Sequence, residues 1–241
     1  MLKSFDPIRL FVEKIGINIS LVEDFIVGKR YAAAVLKNGN IGLAANIINA
    51  DKFDFRNLNS FDTENVMHRL FLLAFFNARL NNSRNLNITG DIFDVIDFSN
   101  YMNTVMIGYS VPIIEKLKKQ NCFPSVFDIQ SEEKCVINQD LMPEYLQNAQ
   151  SLILTGTSII NNTYKDILAF VNKTCDVYLI GPSVPLSDVL LKESGIKGIF
   201  GTQFKPNDEN VIRLIKQNEG TNCLKKIGKK LILLNNSNAD L

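Results

Sequence analysis

An α/β chain, with a parallel sheet preceded by a small α+β unit, is predicted by three observations. From Asp91 onward short apolar runs alternate with amphipathic ones, the rhythm of strands joined by helical crossovers. Before that point two strand-like runs flank Asn38-Gly39-Asn40, a strong hairpin signal because Asn and Gly accept positive φ cheaply. Finally, 241 residues that are 46% hydrophobic and 21% charged can bury a core, which excludes disordered and low-complexity classes.

In the first part, Phe5 to Ile15 predicts a helix, with Ile8, Phe11, Val12 and Ile15 at helical spacing. Glu23–Lys29, Tyr31–Lys37 and Ile41–Ile47 read as three strands. From Thr63 to Asn81 the period becomes helical, placing Val66, Leu70, Leu73, Ala74 and Asn77 on one face, with Asp62 or Thr63 to cap the start. In the second part, strands are expected at Thr104–Ile107, Ser125–Phe127, Leu152–Leu154, Val177–Ile180 and Gly198–Phe200, with Leu231–Leu234 as a last one. Helices are expected at Ile113–Lys119, Tyr164–Val171, Ser187–Glu193 and Asp208–Lys216. No internal repeat and no Pro-, Gly- or Ser-rich linker separates the two parts. Domains 1–90 and 91–241 are therefore expected to pack closely.

Composition narrows the function classes. Lys+Arg 26 against Asp+Glu 25 leaves a net charge of +1, with no electrostatic footprint for nucleic acid. The longest apolar run, Leu70 to Phe76, is far short of the ~20 residues that span a bilayer. Asp6, Pro7 and Glu13 interrupt any signal-peptide core at the start, so the expectation is a cytoplasmic protein that meets no membrane. Cys122, Cys135, Cys175 and Cys223 form no CxxC pair and have no histidine nearby, which argues for reduced thiols rather than a zinc or iron–sulfur site.

In open α/β sheets ligands bind beyond the carboxyl ends of the strands. The segments that follow the predicted strands are Gly108-Tyr109-Ser110, Asp128, Thr155-Gly156-Thr157 with Asn161 and Thr163, Gly181-Pro182-Ser183-Val184-Pro185, and Gly201-Thr202. Turn chemistry accounts for any one of them. Four Gly- and hydroxyl-bearing loops converging on one sheet edge point instead to a polar cleft, because Gly admits close approach and hydroxyls donate hydrogen bonds. Asp128 stands 20 residues after Gly108, where an acid can accept from ribose hydroxyls, although neither GxGxxG nor GxxxxGK[ST] is present. His68, the only histidine, is offset from the apolar face of its helix and reads as a surface or satisfied histidine rather than a ligand. Without it no Ser–His or Cys–His catalytic pair can be assembled. Asp91, Asp94 and Asp97 read as helix-capping or solvated acids, and Lys225, Lys226, Lys229 and Lys230 as a solvated basic run. Asn77 and Asn81 must find partners, at the interface between the two parts or in the cleft.

The stretches TGTSIINNTYKDIL and IGPSVPLSDVLLKESGIKGIFGT resemble the signature of the family named for putative heavy-metal chelation, as do VMIGYSVPIIEKLK, GDIFDVIDF, YAAAVLKNGNIGLAANI and FFNARLNN. The resemblance runs over nearly the whole chain. It implies an enolase N-terminal-like domain followed by a Rossmann-like domain, and a site between them. That site would be shared by Gly108–Ser110, Thr155–Thr157, Asn161, Gly181–Pro185 and Gly201–Thr202, with Asn77 from the first domain. Tyr109-Ser110 departs from the aromatic-Pro pair expected there. The family name implies a metal ion or metal complex as cofactor. The candidate loops offer neither thiolate nor imidazole, so a hard or already complexed metal, or an oxyanion, suits them better than a bare soft ion. The leading expectation is binding of a small anionic or metal-complexed ligand. The competing one is an enzyme using a nucleoside-containing cofactor such as S-adenosylmethionine or a dinucleotide, held by Asp128. A partner-binding scaffold with a vestigial cleft is a third, and self-association, as a homo-oligomer, is compatible with each. No general base or nucleophile stands out.

Overall fold

The computed structural model describes residues 2–56, 58, 60–82, 88–129 and 131–235. Helix α1 (Pro7–Ile15) starts where sequence chemistry places it: Pro7 opens the first turn, and Asp6 Oδ1 accepts the Ile8 N–H at 3.0 Å. Strands β1 (Val22–Val27), β2 (Tyr31–Leu36) and β3 (Ile41–Ala45) form an antiparallel meander in the order β1-β2-β3, with the Asn38–Asn40 turn joining the last two. Helix α2 (Val66–Leu80) begins three residues later than the sequence suggests. Its cap is Asn65, whose side-chain oxygen accepts from the Met67 and His68 amides, while Asp62 serves the turn before it through the Glu64 N–H.

The second sheet contains β4 (Thr104–Ile107), β5 (Ser125–Phe127), β6 (Ser151–Thr155), β7 (Asp176–Ile180), β8 (Gly198–Gln203) and β9 (Lys229–Leu234). Its order is β5-β4-β6-β7-β8-β9; the first five are parallel and β9 runs antiparallel to β8. All the predicted strands are present: those of the first sheet end one or two residues earlier than expected, β4 and β5 match, and β6 to β9 are one to three residues longer. The connections carry α3 (Ile92–Val95), α4 (Val111–Lys119), α5 (Met142–Asn148), α6 (Thr157–Ile160), α7 (Tyr164–Phe170), α8 (Asp188–Ser194), α9 (Glu209–Lys216) and α10 (Thr221–Ile227). The sequence reading did not anticipate α5, α6 or α10, each seven residues or fewer and too short for a clear 3.6-residue period.

Alternate residues of the parallel strands face opposite cores. Val105, Leu152, Leu154, Val177 and Leu179 pack with α5, α7, α8 and the first sheet's helix α2. Met106, Val126, Ile153, Tyr178 and Phe200 pack with α3 and α4 on the other side. Helix α9 does not return to this sheet. With α10 it covers the outer face of the three-stranded sheet, where Ile26, Tyr31, Ala33, Ile41 and Leu43 meet Val211, Ile215 and Leu224. The unalternated run YAAAVL of β2 is explained by this, since both of its faces are buried.

Two buried side chains of α2 tie the first sheet's layer to the second. Arg69 is 1% exposed. It pairs with Asp6 through Nη1 at 2.7 Å and Nη2 at 2.9 Å, and donates to the Ile159 and Ile160 carbonyls that end α6. Asn81 donates to the carbonyls of Val184 and Thr202 and accepts the Leu186 N–H at 2.7 Å, so it orders the loops after β7 and β8. His68 accepts the Asp62 N–H on Nδ1 between the rings of Phe53 and Phe61, the satisfied position expected of it. No helix among the described residues is long and apolar enough to cross a membrane.

Candidate functional site

The strand order reverses direction between β4 and β6: from β4 the chain moves outward to β5, then crosses to β6 and continues the other way. Such a switch point opens a crevice at the carboxyl ends of the two strands, because their connections leave on opposite faces. A hollow of about 290 Å³ lies there, lined by Gly108, Asp128, Thr157, Ser158, Asn161 and Thr163, with Ile47 contributed from beyond β3. Ile107, Ile129, Met142 and Ile167 supply its apolar wall, and Gln139 closes it from the turn before α5.

Gly108 is required at its position twice over. Its φ is +100°, and a Cβ there would stand 2.2 Å from Thr155 Oγ1. Thr155 in turn shares a 2.7 Å hydrogen bond with Thr157 Oγ1, and Ser158 Oγ donates to the Thr155 carbonyl. Asn161 Oδ1 accepts both the amide and the hydroxyl of Thr163, which leaves its Nδ2 donors outside that turn. Asp128 latches two loops: Oδ2 accepts the Tyr109 N–H at 2.6 Å and Oδ1 the Ser131 N–H at 3.0 Å. Among the described residues it is the one charged residue lining the hollow. Gln139 Nε2 is buried with no hydrogen-bond partner.

Of the predicted residues, Gly108, Asp128, Thr157, Asn161 and Thr163 are thus brought together. Gly181, Pro182, Gly201 and Thr202 line a different and smaller hollow, on the α3 and α4 side of the sheet. Tyr109 packs toward that side too; desolvation and the nearby Glu133 and Cys135 hold its phenol above the ordinary tyrosine pKa. Ser110 caps α4 by position. Gly156 and Ser183 pack against each other, a Cβ on Gly156 standing 2.6 Å from the Ser183 carbonyl oxygen, and Pro185 is buried. Asn77 is fully buried inside the first layer, its Nδ2 donating to the Leu43 carbonyl at 2.6 Å, and lines neither hollow. Gln139, Ile47 and Met142 escaped the sequence reading. Ile47 follows an antiparallel strand, while Gln139 and Met142 lie at the far end of the long connection after β5, and no local motif marks them.

The donor set can be tested against a metal. Among the described residues no group of three or more His, Cys, Asp or Glu gathers around one point. Burial pushes the Cys175 thiol up to about 12 and raises that of Cys122 as well, while a hydrogen bond to Glu219 raises that of Cys223. Neutral hydroxyls, amides and one carboxylate do not fit a bare soft metal ion, which takes thiolate or imidazole.

Comparison with known proteins places this geometry in a family. The sequence profile of DUF364, described as putative heavy-metal chelation, matches residues 91–234, and the chain belongs to that family. A DUF364 protein of unknown function from Desulfitobacterium hafniense DCB-2 is similar in structure, with a TM-score of 0.78 and 18% identity, covering 95% of this chain and 97% of that one. Another, from Pyrococcus horikoshii, has a TM-score of 0.74 and 17% identity, covering 89% and 93%. No curated protein matches. At these identities the likeness concerns the fold.

Proposed function

Starting from the family and from the switch-point hollow, we propose that this protein binds a small organic molecule, neutral or carrying an already complexed cation, between the β3 end and the loops after β4, β5 and β6. The observation that carries this reading is Gln139 Nε2, a buried donor without a partner at the wall of that hollow. An unpaired buried donor costs about 1–3 kcal/mol, a cost that an acceptor oxygen on a ligand removes. The charge pattern supports the same ligand class. Asp128 is the sole charged lining residue among the described residues, so the electrostatics favour a neutral or cationic guest over a free anion. A metal that arrives inside an organic chelate needs no thiolate from the protein, which reconciles the family description with the donor set.

The competing reading is a nucleoside-bearing cofactor whose ribose is held by Asp128. Both oxygens of that carboxylate already accept backbone N–H groups, so the observations favour it less. Native mass spectrometry of anaerobically purified protein, with elemental analysis of the same sample, tests the proposal. A discrete added mass that Gln139→Leu loses, in a protein no less stable than the parent, is the expected result. An added mass retained unchanged by Gln139→Leu would refute the assignment to this hollow.

A further inference from the structure

The second hollow differs from the first in charge. It has a volume of about 80 Å³, against roughly 30 Å³ for a water molecule in the liquid, so it takes a small polar head and a short chain. Ile92, Phe93, Ile113, Ile180 and Phe200 make its floor apolar. At its rim, Lys116 from α4 and Lys230 from β9 both place Nζ 2.5 Å from the same oxygen, Oδ2 of Asp91. Two ammonium groups against one carboxylate leave an unmatched positive charge. The next acid, Asp94, directs Oδ2 to the Asp91 N–H and makes no ion pair with either lysine. Each ammonium has three donors, so the shared oxygen satisfies only a fraction of them.

Beside the lysines, Gly181 presents bare backbone. Its φ is +120°, and nothing lies within 4 Å of where a Cβ would stand. The lysine pair is also strong enough to hold the Asp91 carboxyl below its usual range against the desolvation that would raise it. Lys230, expected in solvent on sequence grounds, is therefore half of a two-cation clamp.

We propose that this hollow is a second ligand site, taking a small organic carboxylate whose anionic end displaces Asp91 from Lys116 and Lys230 while its apolar body lies on Phe93, Ile113 and Phe200. Asp91 acts as a built-in competitor that holds the two cations together until the ligand arrives. The site does not depend on the switch-point hollow, which lies on the opposite side of the sheet.

The test is an NMR titration of the full chain at low ionic strength with sodium butyrate, matched by butylammonium chloride as the charge-reversed control, following the amides of Ile92, Gly181 and Thr202. Butyrate is expected to give saturable shifts confined to these residues, and butylammonium none. Lys116→Met and Lys230→Met, at positions 44% and 39% exposed and so tolerant of change, should each weaken butyrate by about tenfold or more. Asp91→Asn keeps a capping side chain and should tighten it several-fold, because the competitor is gone. Equal responses to butyrate and butylammonium overturn the proposal. So does unchanged butyrate affinity in both lysine variants, or an Asp91→Asn protein that binds butyrate no better than the parent.

Discussion

Replacing Arg69 by methionine should reveal how the two layers are held together. The side chain is 1% exposed and Asp6 is 7% exposed, so neither charge can turn to water. Methionine keeps most of the aliphatic stem but leaves the buried Asp6 carboxylate with only the exposed Arg9, whose Nε stands 3.9 Å away, and the carbonyls of Thr63, Ile159 and Ile160 without their donor. Breaking a buried pair from one side costs about 3–5 kcal/mol, because a desolvated charge remains. For a chain of this size that lowers Tm by on the order of 10 °C. Urea unfolding at pH 7 measures it, with Asp6→Asn as the reciprocal variant; Asn still caps α1, so that change removes mainly the charge. The double variant should be more stable than the sum of the two losses predicts, by about 1–3 kcal/mol, since it leaves no orphaned charge. Hydrogen exchange supplies a second readout: the amides of residues 157–163, which span the Ile159 and Ile160 carbonyls that Arg69 grips, should lose protection first. A loss below about 1 kcal/mol for Arg69→Met, with additive singles, would refute the argument that this pair is desolvated and coupled.

Four further outcomes are expected. Gly108→Ala meets both a positive φ and Thr155 at 2.2 Å, whereas Gly181→Ala meets only the positive φ, so urea unfolding should show Gly108→Ala to be the more costly by at least about 1 kcal/mol. Gln139→Leu removes a buried unpaired donor and should leave the ligand-free protein equally stable or up to about 1 kcal/mol more so, read as a shift of the urea midpoint. Brief alkylation at pH 7.5, mapped by peptide mass spectrometry, should label exposed Cys135 first and spare Cys175 and Cys122, whose raised pKa and burial leave little accessible thiolate. The folded pKa of Asp91 is lowered, its burial outweighed by the two lysines. Its stabilising contribution is therefore present above the ordinary carboxylate value of 3.8 and fades as pH falls through the lowered one. The stability gap between parent and Asp91→Asn should stay under about 1 kcal/mol at pH 7, the lysines being partly exposed, and close below pH 3.8.

Much of the fold was legible because its signals are local. The Asn38–Asn40 turn, the short apolar runs and the Gly after several of them each fix a strand end without reference to distant residues. What the sequence left hidden depends on contacts across long separations. Asn65 outcompeted Asp62 and Thr63 as the cap of α2, a choice set by which oxygen reaches two amides at once. Helix α9 has the apolar stripe of a crossover helix, and nothing local says that the stripe meets β2 rather than the parallel sheet. The same holds for the site. Loop chemistry identified Gly108, Thr157 and Asn161, yet Gln139 reaches the hollow only because the long β5–α5 connection folds back over it. Lys230 looked like one member of a basic run until β9 turned antiparallel and carried it to Asp91.

The division of the predicted loops between two hollows does not follow the helices they lead to: Gly108 precedes α4 yet lines the hollow on the α5 and α7 side, and Gly181 precedes α8 yet lines the one on the α3 and α4 side. Gly108 and Thr157 flank the switch point, on the side that α5, α6 and α7 cover, and Ile47 completes the wall. Gly181 and Thr202 belong to β7 and β8, and β9 closes that flank by pairing with β8 and bridging Thr89 to Leu231. That closure brings Lys230 opposite Lys116, while among the described residues no lysine or arginine lines the other hollow. Similar Gly- and hydroxyl-rich loops therefore stand in opposite electrostatic surroundings. The two proposals therefore divide ligands by charge, a neutral or cationic guest beside Asp128 and an anion beside the lysine pair.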